Sequence, residues 1–280
     1  MAIKIITDSS ISLTPTEIAQ YKIHIAPLMI QHGSQSFIDG QTITRSEFLE
    51  RLVSARDEFP TTSQPTVGSL VTLYDELGAD GSTLLSIHCT GLLSGTVEGA
   101  HIAAQQSTSD VHVLDSKAID RSLAYQVTAA AADAAAGQPL DVILAHLADI
   151  RQHSETYIFL DSLDALQRGG RISRLTGLLT KLIKLKVVAR LTDTQLEIIA
   201  KGRGNKTFVK EIEQIKTNIT DQNIIEIDIS HVGLAPDSIN KIQKSFQQDH
   251  PRVPSNIALP SPVIMSHVGL NAFGIFYHTK

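Results

Sequence analysis

The sequence predicts an α/β protein of two domains, an N-terminal parallel-sheet domain over residues 1–153 and a C-terminal α+β domain over residues 154–280. Three observations lead to this prediction. The first half alternates short apolar runs with amphipathic helical patterns, whereas the second half contains a hairpin pattern typical of a mixed or antiparallel sheet. In addition, a length of 280 residues suits two modest domains.

In the first half, strands are predicted at 3–7, 23–30, 83–89 and 111–115. Helices are predicted between and after them at 14–21, 44–55, 66–77, 94–106, 122–136 and 139–152, with Gly137 ending the fifth. Strands that alternate with helices form βαβ units, so these strands should build a parallel sheet that is covered on both faces.

In the second half, a strand is predicted at 157–160 and a helix near 175–185. The runs at 186–192 and 196–201 flank a polar turn and therefore predict an antiparallel hairpin. A strand at 224–230, a helix at 236–248 and further strands within 264–277 complete this half. The predicted helix at 175–185 has leucines at helical spacing with lysines beside them, so an interfacial membrane helix competes with an ordinary packed one.

Composition excludes several classes of protein. No apolar run approaches the length of a membrane span, and one cysteine leaves no internal disulfide, which together predict a cytoplasmic protein. The net charge of −5 argues against general nucleic-acid binding. Residues 168–210, however, hold eleven Lys and Arg against two acidic residues, so the rest of the chain carries −14. That basic block could be a solvated face, or it could meet an acidic partner, a phosphate-bearing ligand or an anionic membrane.

Small polar residues follow the ends of three predicted strands. They are Asp8, Ser9 and Ser10 after the first strand, Thr90 and the turn to Ser94 after the third, and Asp115 and Ser116 after the fourth. Ligands of open parallel sheets bind beyond the carboxyl ends of the strands. The pattern therefore favours a hydrogen-bonding crevice, although each hydroxyl could instead cap a helix.

The stretch around Ser94 lacks the motifs of common catalytic turns. Ser94 has Leu92 and Thr96 where a nucleophile elbow needs glycines, and Gly91, Gly95 and Gly99 are misspaced for a dinucleotide loop. No Gly-Lys-Ser/Thr sequence is present, and the eleven histidines form no recognised metal motif. What remains is Ser94 opening a helix, with its hydroxyl and the free helix N–H groups available to an anion.

Cys89 and His267 are each open to more than one interpretation. Cys89 lies in a strand run, where a free cysteine usually acts as a small core residue. His267 lies in an apolar region near the C-terminus, where it could be a structural histidine or part of a site.

Six short segments, in order along the whole chain, give the sequence a family resemblance. They are Thr7-Asp8-Ser9, Thr62-Ser63-Gln64-Pro65, Leu93-Ser94-Gly95-Thr96, Leu114-Asp115-Ser116, Gly169-Gly170-Arg171-Ile172 and Ser266-His267-Val268-Gly269. With them the chain resembles the DegV family of bacterial lipid-binding proteins, which serve as the fatty-acid-binding subunit of fatty acid kinase.

The resemblance implies a two-domain fold, no catalytic activity of the chain's own and no cofactor besides a long-chain fatty acid held in a tunnel. It implies that Thr62, Ser94 and His267 hold the fatty acid carboxylate, and that a separate ATP-dependent kinase converts this carboxylate to an acyl-phosphate for phospholipid synthesis. Supporting or partner-facing roles are implied for the residues Arg171, Arg203, Asp8, Ser9 and Ser116.

One departure from the family pattern is visible at the C-terminal loop. Leu270 and Asn271 replace the usual Pro-Gly, and Asn271 is expected to adopt the left-handed backbone conformation that glycine would. Two alternatives stay open. One is a serine acylhydrolase that uses Ser94 and His267 with Asp8 or Asp115, and the other is a nucleotide-binding regulatory module.

Overall fold

The structure is a computed structural model that describes residues 2–55, 58–177, 185–219 and 222–280. Its strands are β1 (Ile3–Asp8), β2 (Ile23–Ala26), β3 (Met29–His32), β4 (Gln35–Ile38), β5 (Thr61–Ser63), β6 (Thr83–His88), β7 (Val111–Asp115), β8 (Ser154–Leu160), β9 (Leu175–Thr176), β10 (Lys186–Leu191), β11 (Leu196–Gly202), β12 (Ile224–His231), β13 (Ile257–Ala258) and β14 (Phe273–Thr279). Its helices are α1 (Pro15–Gln20), α2 (Arg45–Ser54), α3 (Val67–Gly78), α4 (Thr96–Gln106), α5 (Asp120–Ala135), α6 (Leu140–Gln152), α7 (Asp164–Arg168), α8 (Lys206–Ile219), α9 (Pro236–Asp249) and α10 (Pro262–Val268).

The first half contains the predicted parallel sheet, in the strand order β2-β1-β6-β7. On the central strand β1, Ile5 pairs with Ile23 on one side and with Leu85 on the other. All three strand pairs in this sheet are parallel, so the α/β prediction for this half is confirmed.

The predicted strand at 23–30 is wrong as a single element. It divides at Pro27 into β2, which stays in the parallel sheet, and β3, which joins a separate antiparallel sheet in the order β4-β3-β5. Proline has no N–H to donate to a neighbouring strand, which favours a break there. The small sheet was not predicted, and it places Thr62 of β5 opposite Ile30 of β3.

The second half contains a mixed sheet of seven strands, in the order β13-β12-β14-β8-β10-β11-β9. The predicted hairpin is confirmed as the antiparallel pair of β10 and β11. Within the range predicted as strands at 264–277, the first residues instead belong to α10, and only β14 is a strand. Ser261 caps this helix by accepting from the Ile264 N–H, and Pro262 suits its first position.

The region of the predicted helix at 175–185 differs from expectation where it is described. Leu175–Thr176 forms the short strand β9 after a 3₁₀ turn at Ile172–Arg174, and residues 178–184 lie outside the described residues. Helix α8 was not predicted, although its buried Phe208, Ile212 and Ile215 follow helical spacing.

One apolar core joins the parallel and mixed sheets. Ile5 and Leu85 of the parallel sheet belong to the same buried cluster as Ile158, Val187 and Phe276 of the mixed sheet. The parallel sheet lies within residues 1–153 and the mixed sheet within 154–280, while the division into two domains at that point stays a prediction.

A buried arginine also connects the two halves. Arg121 of α5 donates from Nε to Asp228 Oδ2 at 2.8 Å, from Nη1 to Glu17 Oε2 at 2.8 Å and from Nη2 to Glu226 Oε1 at 3.1 Å. Arg121 is 2% exposed, and Tyr125 one turn later also donates to Asp228. We call Arg121, Glu17, Glu226 and Asp228 the junction ion cluster.

Candidate functional site

A mainly apolar cavity lies where the two sheets meet. It contains about 680 Å³ of unfilled space, its open mouth included, and ten of its sixteen lining residues are Leu, Ile or Val. Ile158 and Leu160 of β8 and Leu196 of β11 are buried in its wall. The lining resembles that of small-molecule sites, which have apolar walls and a few polar groups that orient the ligand.

Four polar residues from distant parts of the chain line this cavity together. Thr62 belongs to β5, Ser94 to the turn before α4, Arg171 to the turn after α7, and His267 to α10. All four are half-buried, whereas the apolar walls on β8 are buried. The contacts described below link these four residues to one another, and we call them the polar end.

His267 is bonded to Thr62 and is neutral at physiological pH. Its Nε2 lies 2.8 Å from Thr62 Oγ1, and its buried Nδ1 has no hydrogen-bond partner among the described residues. Burial, together with the nearby Arg171 charge, lowers the pKa of His267 to about 4. A neutral imidazole carries one N–H, which would have no acceptor on the buried Nδ1 but finds the Thr62 oxygen from Nε2. We therefore infer that Nε2 donates to Thr62 Oγ1. The Thr62 hydroxyl hydrogen is then free to point to a ligand.

Glycine at position 169 makes room for this histidine. A Cβ atom at Gly169 would lie 2.4 Å from His267 Nδ1, a distance at which one of the two would have to move. The Gly-Gly-Arg-Ile segment and the C-terminal histidine, almost a hundred residues apart in sequence, are therefore matched in shape.

Ser94 does not open the helix, contrary to the prediction, because α4 begins two residues later at Thr96. The Ser94 Oγ lies 2.8 Å from Thr96 Oγ1 and accepts from the Thr96 N–H at 3.3 Å. A Cβ atom at Gly95 would lie 2.3 Å from the side-chain oxygen of Gln64. Glycine there lets the Thr-Ser-Gln-Pro loop approach this turn and so brings Thr62 and Ser94 to one cavity.

Arg171 is held by two backbone oxygens. Its Nε donates to Leu93 O at 3.1 Å and its Nη1 to Gly169 O at 2.8 Å. Nη2 has no partner in the part of the chain that the structure describes. The guanidinium thus connects the turn that carries Ser94 to the turn that carries Gly169, which packs against His267. Its Nη2 group stays available at the cavity.

A buried hydrogen-bond network centred on Asp8 adjoins the cavity. The Asp8 carboxylate accepts from Ser10 N at 3.0 Å and Cys89 N at 2.8 Å, and its Oδ2 lies 3.2 Å from His88 Nδ1. Burial alone would raise the pKa of Asp8, but the His88 hydrogen bond and the other donors hold it below its usual value. Ser10 and Cys89, which both contact this carboxylate, also line the cavity.

Sequence reasoning missed one member of this network and interpreted another correctly. His88 was not singled out, although it alternates with the apolar residues of β6 in the same pattern as buried Ser86. Cys89 lies one residue beyond β6 and is buried in the apolar core, which confirms its interpretation as a small core residue. Burial raises its pKa well above the usual value, so the thiol stays protonated.

The remaining predicted site residues lie outside the cavity. Ser9 is buried and donates to Asp39 Oδ2 at 2.9 Å, and buried Ser116 accepts from the Ala118 N–H at 3.1 Å. Arg203 is exposed after β11. A supporting role for Ser9 and Ser116, and a partner-facing role for Arg203, stay predictions.

The C-terminal loop accommodates its departure from the family pattern. Asn271 has a φ angle of +62°, which confirms the expected left-handed conformation. Leu270 lines a separate groove together with Phe59, Met265 and Ala165, and it is not among the residues of the cavity.

The comparisons with known proteins identify the family of this chain. A family model described as "Uncharacterised protein, DegV family" matches residues 2–280. The chain belongs to the DegV family. A DegV domain-containing protein of Streptococcus pneumoniae is 37% identical over 279 residues, which is 99% of each chain. A DegV domain-containing protein of Staphylococcus aureus is 32% identical over 272 residues, 97% of this chain and 96% of the other.

Solved DegV structures have the same fold over their full length. DegV of Bacillus subtilis, described as a fatty acid binding protein, superposes with a TM-score of 0.90 at 27% identity and full coverage of both chains. A DegV family protein of Thermus thermophilus, whose fatty acid binding was described, superposes with a TM-score of 0.85, also at 27% identity and full coverage of both chains.

Two further findings concern membranes and metals. None of the helices in the described ranges is long and apolar enough to cross a bilayer. Among residues 2–55, 58–177, 185–219 and 222–280, no group of three or more His, Cys, Asp or Glu side chains is arranged to hold a metal ion.

Proposed function

We propose that this protein is a carrier that binds a long-chain fatty acid in the cavity and presents the carboxylate to a separate ATP-dependent kinase. The observation that supports this most is the polar end, four polar residues from distant parts of the chain that come together at a mainly apolar cavity. A fatty acid has the same division into a polar head and an apolar chain. The two similar DegV proteins of Bacillus subtilis and Thermus thermophilus are described as binding fatty acids.

The acyl chain supplies most of the affinity in this proposal. Each buried methylene contributes about 0.8 kcal/mol, so a sixteen-carbon chain gains on the order of 10 kcal/mol before the costs of ordering it. The head contacts can therefore be few, and their main task is to orient the carboxylate.

Three donors at the polar end suit that task. His267 fixes the Thr62 oxygen, so the Thr62 hydroxyl hydrogen can point to the carboxylate. Ser94 can donate its own hydroxyl hydrogen while its oxygen still accepts from the Thr96 N–H, and Arg171 has Nη2 free. Single donors from different elements leave one carboxylate oxygen open to a kinase, which a bidentate arginine would not.

The proposed kinase step needs an accessible head group and a surface for a partner. One carboxylate oxygen attacks the γ-phosphorus of ATP and ADP leaves, so the acyl-phosphate remains on the carrier. Arg168 and Arg174 are exposed on either side of the turn that carries Arg171, and Arg203 is exposed as well. These cations can attract an acidic kinase surface, the forming acyl-phosphate, or anionic lipid during transient membrane contact. A cytoplasmic location stays a prediction from the sequence.

The contacts at the polar end favour a carrier over a serine acylhydrolase. A hydrolytic serine needs its base within hydrogen-bond distance. Here Ser94 is bonded to Thr96, and His267 is bonded to Thr62. The buried Asp8 is bonded to His88 rather than to His267. Ser94 and His267 therefore lack the relay that would activate a nucleophile.

A Ser94→Ala variant tests the division between chain and head. We expect its affinity for hexadecanoic acid to fall by only about threefold, because Thr62 and Arg171 still donate to the carboxylate and water can replace the lost donor. Kinase-dependent acyl-phosphate formation should fall at least about tenfold, because the carboxylate is no longer oriented. Fatty acid titration and a kinase assay with labelled ATP measure the two effects. The exposed Ser54→Ala variant is the control, and equal losses in both assays would contradict the proposal.

A further inference from the structure

A second chamber adjoins the main cavity. It contains about 300 Å³ of space between atoms, space open to solvent included, and shares four walls with the main cavity, namely Ile119, Ile158, Ile264 and Val268. None of the four polar-end residues lines it. We call it the distal chamber, because a fatty acid whose carboxylate lies at the polar end reaches it only by passing the shared walls.

The distal chamber has one polar edge in a lining that is otherwise apolar or glycine. That edge consists of Asp120, at the start of α5, and Ser230 of β12. Asp120 is 1% exposed and Ser230 is 3% exposed. The Ser230 hydroxyl donates to Asp120 Oδ2 at 2.8 Å, whereas Asp120 Oδ1 is buried with no hydrogen-bond partner among the described residues.

The conformation of this polar edge destabilises the folded protein. A buried carboxyl oxygen without a partner is destabilising, and Asp120 also has a φ angle of +54°, which side chains other than glycine rarely adopt. Burial raises the pKa of Asp120, and the Ser12 and Ser230 hydroxyls and the nearby arginine charges oppose that shift. Beside it, Gly274 leaves space, since a Cβ there would lie 2.5 Å from the Phe276 ring and 3.3 Å from Ser230 Oγ.

We propose that the distal chamber binds the far part of an acyl chain that carries a hydroxyl group, and that this hydroxyl hydrogen-bonds with Asp120 Oδ1. The inference rests on the proposed fatty-acid-binding function and adds a ligand class to it. A hydroxyl is both donor and acceptor, so it pairs with a carboxylate by donating and with a protonated carboxyl by accepting. An unsubstituted chain leaves Oδ1 unpaired and gives up that interaction.

The unpaired Asp120 Oδ1 makes the distal chamber selective for hydroxylated acyl chains over unsubstituted ones. A site with a buried polar group discriminates strongly against ligands that lack the matching group. The hydroxyl position along the chain follows from the distance between the polar end and Asp120. A series of positional isomers therefore locates it experimentally.

The test is a titration of the full-length protein, stripped of lipid, with hexadecanoic acid and with hexadecanoic acids hydroxylated singly at carbons 8 to 16. We expect one position or two adjacent ones to bind about tenfold more tightly than hexadecanoic acid itself, as one added hydrogen bond to a carboxyl group can give. Isomers hydroxylated elsewhere should bind more weakly than the parent, because their hydroxyl is buried against apolar walls.

Two variants connect the preference to the polar edge. Asp120→Ala should abolish the preference, so that no isomer binds this variant more tightly than hexadecanoic acid does, and Ser230→Ala, a milder change, should reduce the preference. If hexadecanoic acid binds and no isomer is preferred, or if the preference survives in Asp120→Ala, the inference is wrong while the carrier function stands. If none of the acids binds, both are wrong. The wild-type series decides the matter even if Asp120→Ala fails to fold.

Discussion

An Ile264→Phe variant is expected to bind hexadecanoic acid at least about 100-fold more weakly than the wild type, and decanoic acid within about threefold of it. Ile264 lies on α10 and lines both the main cavity and the distal chamber. A phenyl ring there fills the passage, so the last methylenes of a long chain lose their apolar surroundings. Six such methylenes account for about 5 kcal/mol, from which ordering costs and wall adjustments subtract.

The chain-length dependence separates this effect from general damage. Val209→Phe adds the same ring on the exposed side of α8 and serves as the control. Titration with saturated acids of ten to eighteen carbons measures the effect. Equal weakening at all lengths, or none at any length, would contradict a chain that passes from the main cavity into the distal chamber.

An Arg121→Met variant is expected to lose about 3–5 kcal/mol of its free energy of unfolding. The methionine nearly conserves volume but removes the cation of the junction ion cluster. Asp228, which is 1% exposed, then keeps a buried carboxylate without its charged partner. Because native domains are stable by only about 5–15 kcal/mol, this loss is large, and urea unfolding followed by circular dichroism measures it.

A second arginine provides the matched control. Arg190 also pairs with a carboxylate, Glu155, but its side chain is 41% exposed. Since solvent screens such pairs, Arg190→Met should cost no more than about 1 kcal/mol. Similar losses in the two variants would show that the junction ion cluster contributes no more than a surface ion pair.

The parallel sheet was predictable from local sequence because its strands and helices have the periodicity of βαβ units. Ile5, Leu85 and their neighbours form short apolar runs between amphipathic segments, and burial on both faces requires such runs. The hairpin of β10 and β11 was predictable for a related reason, since two apolar runs flank a polar turn.

The misassigned elements depend on tertiary context. A proline between two strand-forming segments does not reveal that β3 joins a different sheet from β2. Helix α10 is seven residues long and apolar, and short apolar runs have no periodicity that separates a helix from a strand. Its cap at Ser261 and its proline at 262 were the only local signals.

The candidate site residues were predicted only through the family resemblance. Thr62 and His267 are 205 residues apart in sequence, and the bond between them has no local signature. The same holds for the matched shapes of Gly169 and His267. The distal chamber and its polar edge belong to no motif at all, because Asp120 and Ser230 meet only after α5 and β12 pack together.

Native mass spectrometry of freshly purified protein tests the central claim most directly. If the cavity holds a fatty acid, the protein should carry an added mass of one long-chain fatty acid per chain, and solvent extraction should release that acid for identification. Stripped protein should regain the same mass shift with hexadecanoic or octadecenoic acid. A protein that is isolated empty and also ignores both added acids would contradict the carrier function.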